Sequence, residues 1–152
     1  MEDIRKILVP VDFSERSFEA LDCAGTLAQK TGAQLDVIHV WRMPTFIPPS
    51  VFEHTDSDEA RLTQYYENQI RADFDALAAQ AAKRAVAISG RKIERGDPFQ
   101  VIVDAAKAGQ YDLIVMGTRG RSGLSRVLLG SVAARVLQHA PCPVMTVADS
   151  ND

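Results

Sequence analysis

Between Leu113 and His139 the chain runs from strand to glycine-rich loop to helix, and that succession constrains its fold more than any other feature. Leu113-Ile114-Val115 is an apolar run with no polar face to offer water, the pattern of a buried strand. It breaks into Met116-Gly117-Thr118-Arg119-Gly120-Arg121-Ser122-Gly123. After Leu128-Leu129-Gly130-Ser131 the pattern becomes helical from Val132 to His139. Glycines let a backbone approach an anion without a Cβ in the way. The free N–H groups and dipole of a helix start favour negative charge. A strand, a glycine loop and a helix opening on Gly-Ser together make a recipe for holding phosphate.

The rest of the chain repeats the strand–helix alternation. Ile4 to Val11 is a predicted strand, followed by a helix with Ser14 as N-cap. Phe18, Leu21, Ala24, Leu27 and Ala28 share one face of that helix, and Thr31-Gly32 ends it. Gln34 to Trp41 predicts a second strand. Arg42 to Asp56 holds Pro44, Pro48 and Pro49 with little periodicity, and reads as a surface loop with the makings of a lid. A long amphipathic helix follows over about 57–84, with Leu62, Tyr66, Ile70, Phe74, Leu77 and Ala81 on one stripe. Val86 to Glu94 predicts the third strand, and Asp97-Pro98 opens a short helix. Tyr111 to Gly117 is the fourth strand and Pro143 to Val147 the fifth. Such alternation implies a parallel sheet with helices on both faces. Ligands of such sheets bind beyond the carboxyl ends of the strands, where the strand order reverses. Asp12 and the glycine loop both sit at such ends, so a hundred intervening residues do not keep them apart.

Composition narrows the function classes. The 152 residues suit one domain with a real core, and 46% hydrophobic against 24% charged residues is ordinary for a soluble protein. A net charge of −3 gives no basic excess for nucleic acid or an anionic membrane. No leader pattern opens the sequence and no apolar run could span a bilayer, so the expected location is cytoplasmic. His39, His54 and His139 are scattered, and Cys23 and Cys142 have no metal or redox spacing, so no protein metal site is expected. Both cysteines read as packing residues. The lysine of a Gly-x-x-x-x-Gly-Lys-Ser/Thr loop is missing, as is a Gly-x-Gly-x-x-Gly at the first helix. P-loop enzyme and NAD-dehydrogenase chemistry are therefore disfavoured.

The glycine spacing is Gly117, two residues, Gly120, nine residues, Gly130-Ser131. With Ile7-Leu8-Val9-Pro10-Val11-Asp12-Phe13-Ser14 at one end and Pro141-Cys142-Pro143-Val144-Met145-Thr146-Val147 at the other, it resembles the universal stress protein family over nearly the whole chain. The resemblance implies an open, twisted five-stranded parallel sheet of order 3-2-1-4-5, a Rossmann-like fold of the adenine nucleotide alpha-hydrolase type. It also implies a site for ATP, with Mg2+ or Mn2+ arriving through the phosphates. In that site Gly117 and Gly120 would wrap the phosphates. Gly130 and Ser131 would present N–H groups and a hydroxyl to them, with Val132 following at the helix start. Asp12 would contact the ribose or adenine, and Pro10, Val11 and Val40 would line the adenine edge. Met116 would pack beneath the ligand, and Arg119 would pair with phosphate oxygens. Trp41 reads equally as a cover for a base or a residue at a surface.

The family resemblance further implies a homodimer through the fifth strand, since Val144 to Val147 would otherwise be an exposed apolar edge. The leading expectation is a binding module that changes shape or affinity for a protein partner when occupied. A slow ATPase is the alternative, although no base stands in the glycine loop and Asp12 belongs to the nucleoside end. A nucleotide-independent stress adaptor is the third reading.

Overall fold

The computed structural model of the protein describes residues 3–44, 56–118 and 129–148. The elements alternate strictly: β1 Lys6–Pro10, α1 Glu15–Thr31, β2 Gln34–Trp41, α2 Asp56–Ala82, β3 Gly90–Arg95, α3 Pro98–Ala108, β4 Leu113–Gly117, α4 Ser131–His139 and β5 Val144–Val147. The sheet is parallel throughout, in the order β3-β2-β1-β4-β5. This is the expected fold, with β1 and β4 side by side at the reversal of strand order.

Two apolar clusters sandwich the sheet. Ile7, Val9, Leu35, Val37, Leu113 and Val115 meet Phe18, Leu21 and Ala24 of α1 and Ile70, Phe74 and Leu77 of α2. The alternate residues Leu8, Ile38, Ile114 and Met116 meet Phe99, Ile102 and Ala106 of α3 and Ala133 and Val136 of α4. The period-two alternation of each strand thus divides its apolar residues between two cores.

The helix signals have local causes. The Ser14 hydroxyl accepts from the Ser17 N–H at the start of α1, and Gly32, at φ 75°, ends it. Asp97 caps α3 with Pro98 in its first turn. Boundaries differ where backbone groups find other partners. Ala85 (φ 58°) ends the long helix in a left-handed turn, with Val86 N–H donating to Ala81 O and Ala85 N–H to Ala82 O. That is a Schellman-type closure, so β3 starts at Gly90 rather than Val86. Tyr111 N–H returns to Ala106 O at the end of α3, which moves the start of β4 to Leu113. Asp112 Oδ2 accepts from the N–H groups of Arg5 and Lys6, both at 2.9 Å, ahead of the β1 ladder. Trp41 is buried on the α1/α2 face, stacked on Tyr66 at 5.8 Å beneath the Arg95 guanidinium. It is a core residue, because position 41 shares its strand face with Leu35 and Val37.

The two sheet edges differ in character. β3 reads Gly-Arg-Lys-Ile-Glu-Arg, a charged edge of the kind that resists pairing, whereas β5 reads Val-Met-Thr-Val with Met145 exposed.

Two packing features generate predictions. A Cβ on Gly25 of α1 would fall 2.5 Å and 2.7 Å from the methyls of buried Val86. Gly25→Ala should therefore destabilise the protein by about 1–3 kcal/mol in urea titration, despite the roughly 1 kcal/mol that alanine gains in a helix interior. Unchanged or higher stability would show that the contact is slack. At the amino ends of the strands, the buried Asp36 carboxylate accepts from Tyr111 Oη and from Gln34 Nε2. Burial, then the hydrogen bond and charge of Asp36, raise the Tyr111 pKa well above the ordinary phenol value near 10. A raised native pKa means this contribution is complete below about pH 10 and is lost as pH climbs beyond it. Tyr111→Phe should cost about 1–3 kcal/mol at neutral pH and flatten the alkaline arm of the stability curve. An unaltered alkaline arm would assign that arm to other groups.

Candidate functional site

At the carboxyl end of the sheet, β1 and β4 send their connections to opposite faces, α1 to one and α4 to the other. The gap between them is a cleft of about 220 Å³. Pro10, Val11 and Asp12 line it from the end of β1 and Val40 from β2. Met116 and Gly117 come from β4, and Gly130, Ser131 and Val132 from the start of α4. The structure thus brings together nine of the residues singled out from the sequence. Arg119 and Gly120 lie outside the described residues, as do Arg121, Arg126 and most of the 42–56 stretch. Ser17, Ile38, Pro98, Ile102 and Ala133 also line the cleft. None of these was expected in the cleft: Asp97-Pro98 reads as a helix start alone, and the one signal for Ser17 would have been its place one turn beyond the Ser14 cap. The others lie on strand and helix faces whose exposure depends on tertiary geometry.

The floor and one flank are apolar: Ile38, Ile102, Met116 and Ala133 are buried beside the partly open Pro10, Val40 and Val132. The β1–β2 ladder ends at the cleft, where Val11 N–H donates to Ile38 O at 2.9 Å. With a strand period of two, the Val40 main chain points the same way as that of Ile38, past the last residue of β1.

Asp12 opens the turn into α1. Its Oδ1 accepts from the Ser14 N–H at 3.0 Å and from the Ser14 hydroxyl, and its own N–H donates to Ser17 Oγ at 3.3 Å. Ser17 Oγ in turn donates to Ser14 O at 3.0 Å. Asp12 therefore organises the start of α1 and lines the cleft as well.

The opposite wall has the other polarity. Gly130 N–H donates to Thr118 O at 2.6 Å, closing the base of the glycine loop and setting the start of α4 beside the end of β4. That N–H is therefore committed within the protein, and Gly130 serves the cleft through its missing side chain. Its φ of −59° and ψ of 156° suit any residue, so what glycine supplies here is room. Among the described residues no side chain caps α4, whose first intrahelical bond runs from Ala134 N–H to Gly130 O. The amides of Ser131 and Val132 precede that bond, in the turn where a helix has donors to spare and its dipole is positive. α3 differs, being capped by Asp97, whose Oδ1 also meets Arg42 Nη2 at 2.7 Å on the rim.

The cysteines lie away from the cleft. Cys142 packs on the α3/α4 core, and burial followed by the Asp112 charge pushes its thiol pKa up, against a smaller lowering from Ile114 N–H. Cys23 Sγ lies 4.0 Å from Met145 Sδ.

The profile of the Universal stress protein family matches residues 3–148. Universal stress protein MJ0531 of Methanocaldococcus jannaschii is 34% identical, over 94% of this chain and 81% of its own length. Universal stress protein YxiE of Bacillus subtilis is 33% identical, over 93% of this chain and 97% of its own. Among solved structures, universal stress protein UspA from Lactobacillus plantarum superposes with a TM-score of 0.77 at 28% identity, covering 97% of this chain and 99% of that one. A universal stress protein crystallised in complex with cAMP shares the fold with a TM-score of 0.68 at 24% identity, covering 96% and 98% of the two chains. With its strand order, its cleft and these relatives in agreement, the chain belongs to the universal stress protein family.

Proposed function

We propose that this protein is a nucleotide-dependent regulatory module whose cleft holds ATP. The observation that carries the reading is the opposed polarity of one cleft: the Asp12 carboxylate on one wall and the uncapped amino end of α4 on the other. A carboxylate accepts hydrogen bonds and repels phosphate, so the nucleoside end belongs beside Asp12, through ribose hydroxyls or the adenine amine. The phosphates belong at Ser131 and Val132, with Gly117 alongside. The apolar strip from Pro10 and Val11 to Val40 suits the flat base, and Met116 packs beneath it. A divalent ion, Mg2+ or Mn2+, would be held chiefly by the phosphates and water. A relative solved with cAMP makes the cyclic nucleotide the natural competitor to test.

Gly130→Asp separates stability from binding. Aspartate is a favoured N-cap, so the variant should fold and keep its melting temperature. Its carboxylate would occupy the amides and space meant for phosphate. Calorimetry should show micromolar ATP binding by the wild type, weakened at least about tenfold in the variant, a loss of roughly 1.4 kcal/mol. A folded wild type that binds none of ATP, AMP and cAMP would favour a nucleotide-independent adaptor. ATP turnover on the order of 1 per second would instead mark a dedicated phosphoryl-transfer enzyme.

The same proposal includes a homodimer through β5. Pro143 O accepts from Ile114 N–H and Val147 O from Thr118 N–H, so residues 143 and 147 bond inward to β4. By the strand period, the Thr146 amide points outward, to where a second copy would pair. Thr146→Pro removes that donor while sparing the β4 ladder. Light scattering should find a dimeric wild type and a folded monomeric variant; an equally dimeric variant would place the interface elsewhere.

A further inference from the structure

His39 serves none of the roles above, yet it ties the β2 strand to the corner that carries Asp12. Its Nδ1 lies 2.8 Å from Val11 O. A carbonyl oxygen only accepts, so Nδ1 carries the proton of this bond. The ring also lies 4.6 Å from Phe13 at 37°, and Phe13 in turn meets Phe74 of α2 edge-on at 5.1 Å. Phe13 has φ 65°, in the left-handed region that a bulky residue rarely adopts. Such a conformation persists only where surrounding contacts over-determine it. The tilted contact with His39 and the edge-on contact with Phe74 supply them.

The bond to Val11 also sits where the ladder stops. Val11 N–H donates to Ile38 O, and the next rung of a parallel ladder would send Val40 N–H to Val11 O. That carbonyl accepts from the His39 side chain instead. One side chain thus touches both the turn at Asp12-Phe13 and the place where the Val40 main chain leaves the ladder.

We propose that His39 is a positioning residue of the cleft: its Nδ1–H on Val11 O and its stacking on Phe13 hold the Val11–Phe13 corner so that Asp12 and the Val40 amide are set for the base end of a nucleotide. The proposal rests on the nucleotide reading of the cleft. It adds a determinant of how the nucleoside end is recognised, from the face of the sheet opposite the ligand.

Two variants test it. His39→Phe keeps a stacking ring and removes the donor, while His39→Asn offers a side-chain N–H near the position of Nδ1. Both are compared with the wild type in thermal stability, ATP affinity and the ligand-free amide resonances of Asp12 and Val40. The expected result is a loss of about tenfold in ATP affinity for His39→Phe, with both resonances displaced. His39→Asn should restore affinity and both resonances toward the wild type. Wild-type affinity and unmoved resonances in His39→Phe would overturn the proposal. So would equal losses in both variants that track lowered stability. If the wild type binds no ATP, the nucleotide reading fails, and the ligand-free resonances still decide whether His39 sets the corner.

Discussion

The pairing of β1 with β4 is the constraint on which the rest of this structure depends. β1 sits between β2 and β4 at the centre of a parallel sheet, with Ile7, Leu8 and Val9 fully buried. A parallel strand must be followed by a crossover helix. Because strand order reverses here, the crossover after β1 lies on the opposite face from the one after β4. Two connections that part company leave a cleft that no side chain has to carve. Everything placed at the carboxyl ends of β1 and β4 then lines it.

The polarity of that cleft follows from how its two walls are capped. On the β1 side, Asp12, Ser14 and Ser17 are joined by hydrogen bonds that supply partners to the start of α1. On the β4 side, α4 begins at a glycine, no side chain among the described residues caps its first amides, and Gly130 itself is tied back to Thr118. One wall thus combines its own donors and acceptors, and the other leaves donors facing the cleft. An elongated ligand with an anion at one end and hydrogen-bond donors at the other matches that asymmetry, as an adenine nucleotide does.

Much of this was legible in the residues, because it is locally encoded. Ser14, Thr31-Gly32 and Asp97-Pro98 are cap and stop signals whose effects stay within one turn, and each acts where it was read. The strand alternation was legible as a class of fold, but its order came from family resemblance, since local pattern carries no information on which strands pair. Val86 shows the limit of apolar pattern as a strand signal, for it closes the end of α2 and packs on Gly25. Trp41 shows another: a tryptophan at a strand end reads as surface or ligand cover until the face of the sheet is known. His39 read as one of three scattered histidines, because its partners Val11 and Phe13 stand nearly thirty positions earlier. Gly130 was legible as a residue at the start of a helix beside the glycine loop, but the commitment of its N–H to Thr118 depends on tertiary geometry.

The most direct test of the account is an amide-resolved NMR titration of the protein with adenosine and, separately, with ATP. The account predicts that adenosine perturbs Val11, Asp12 and Val40, and that ATP perturbs these together with Gly117, Ser131 and Val132. Perturbations that leave the start of α4 untouched by ATP, or that cluster instead between α1 and α2, around Glu19, Asp22, Asp73 and Gln80, would contradict it.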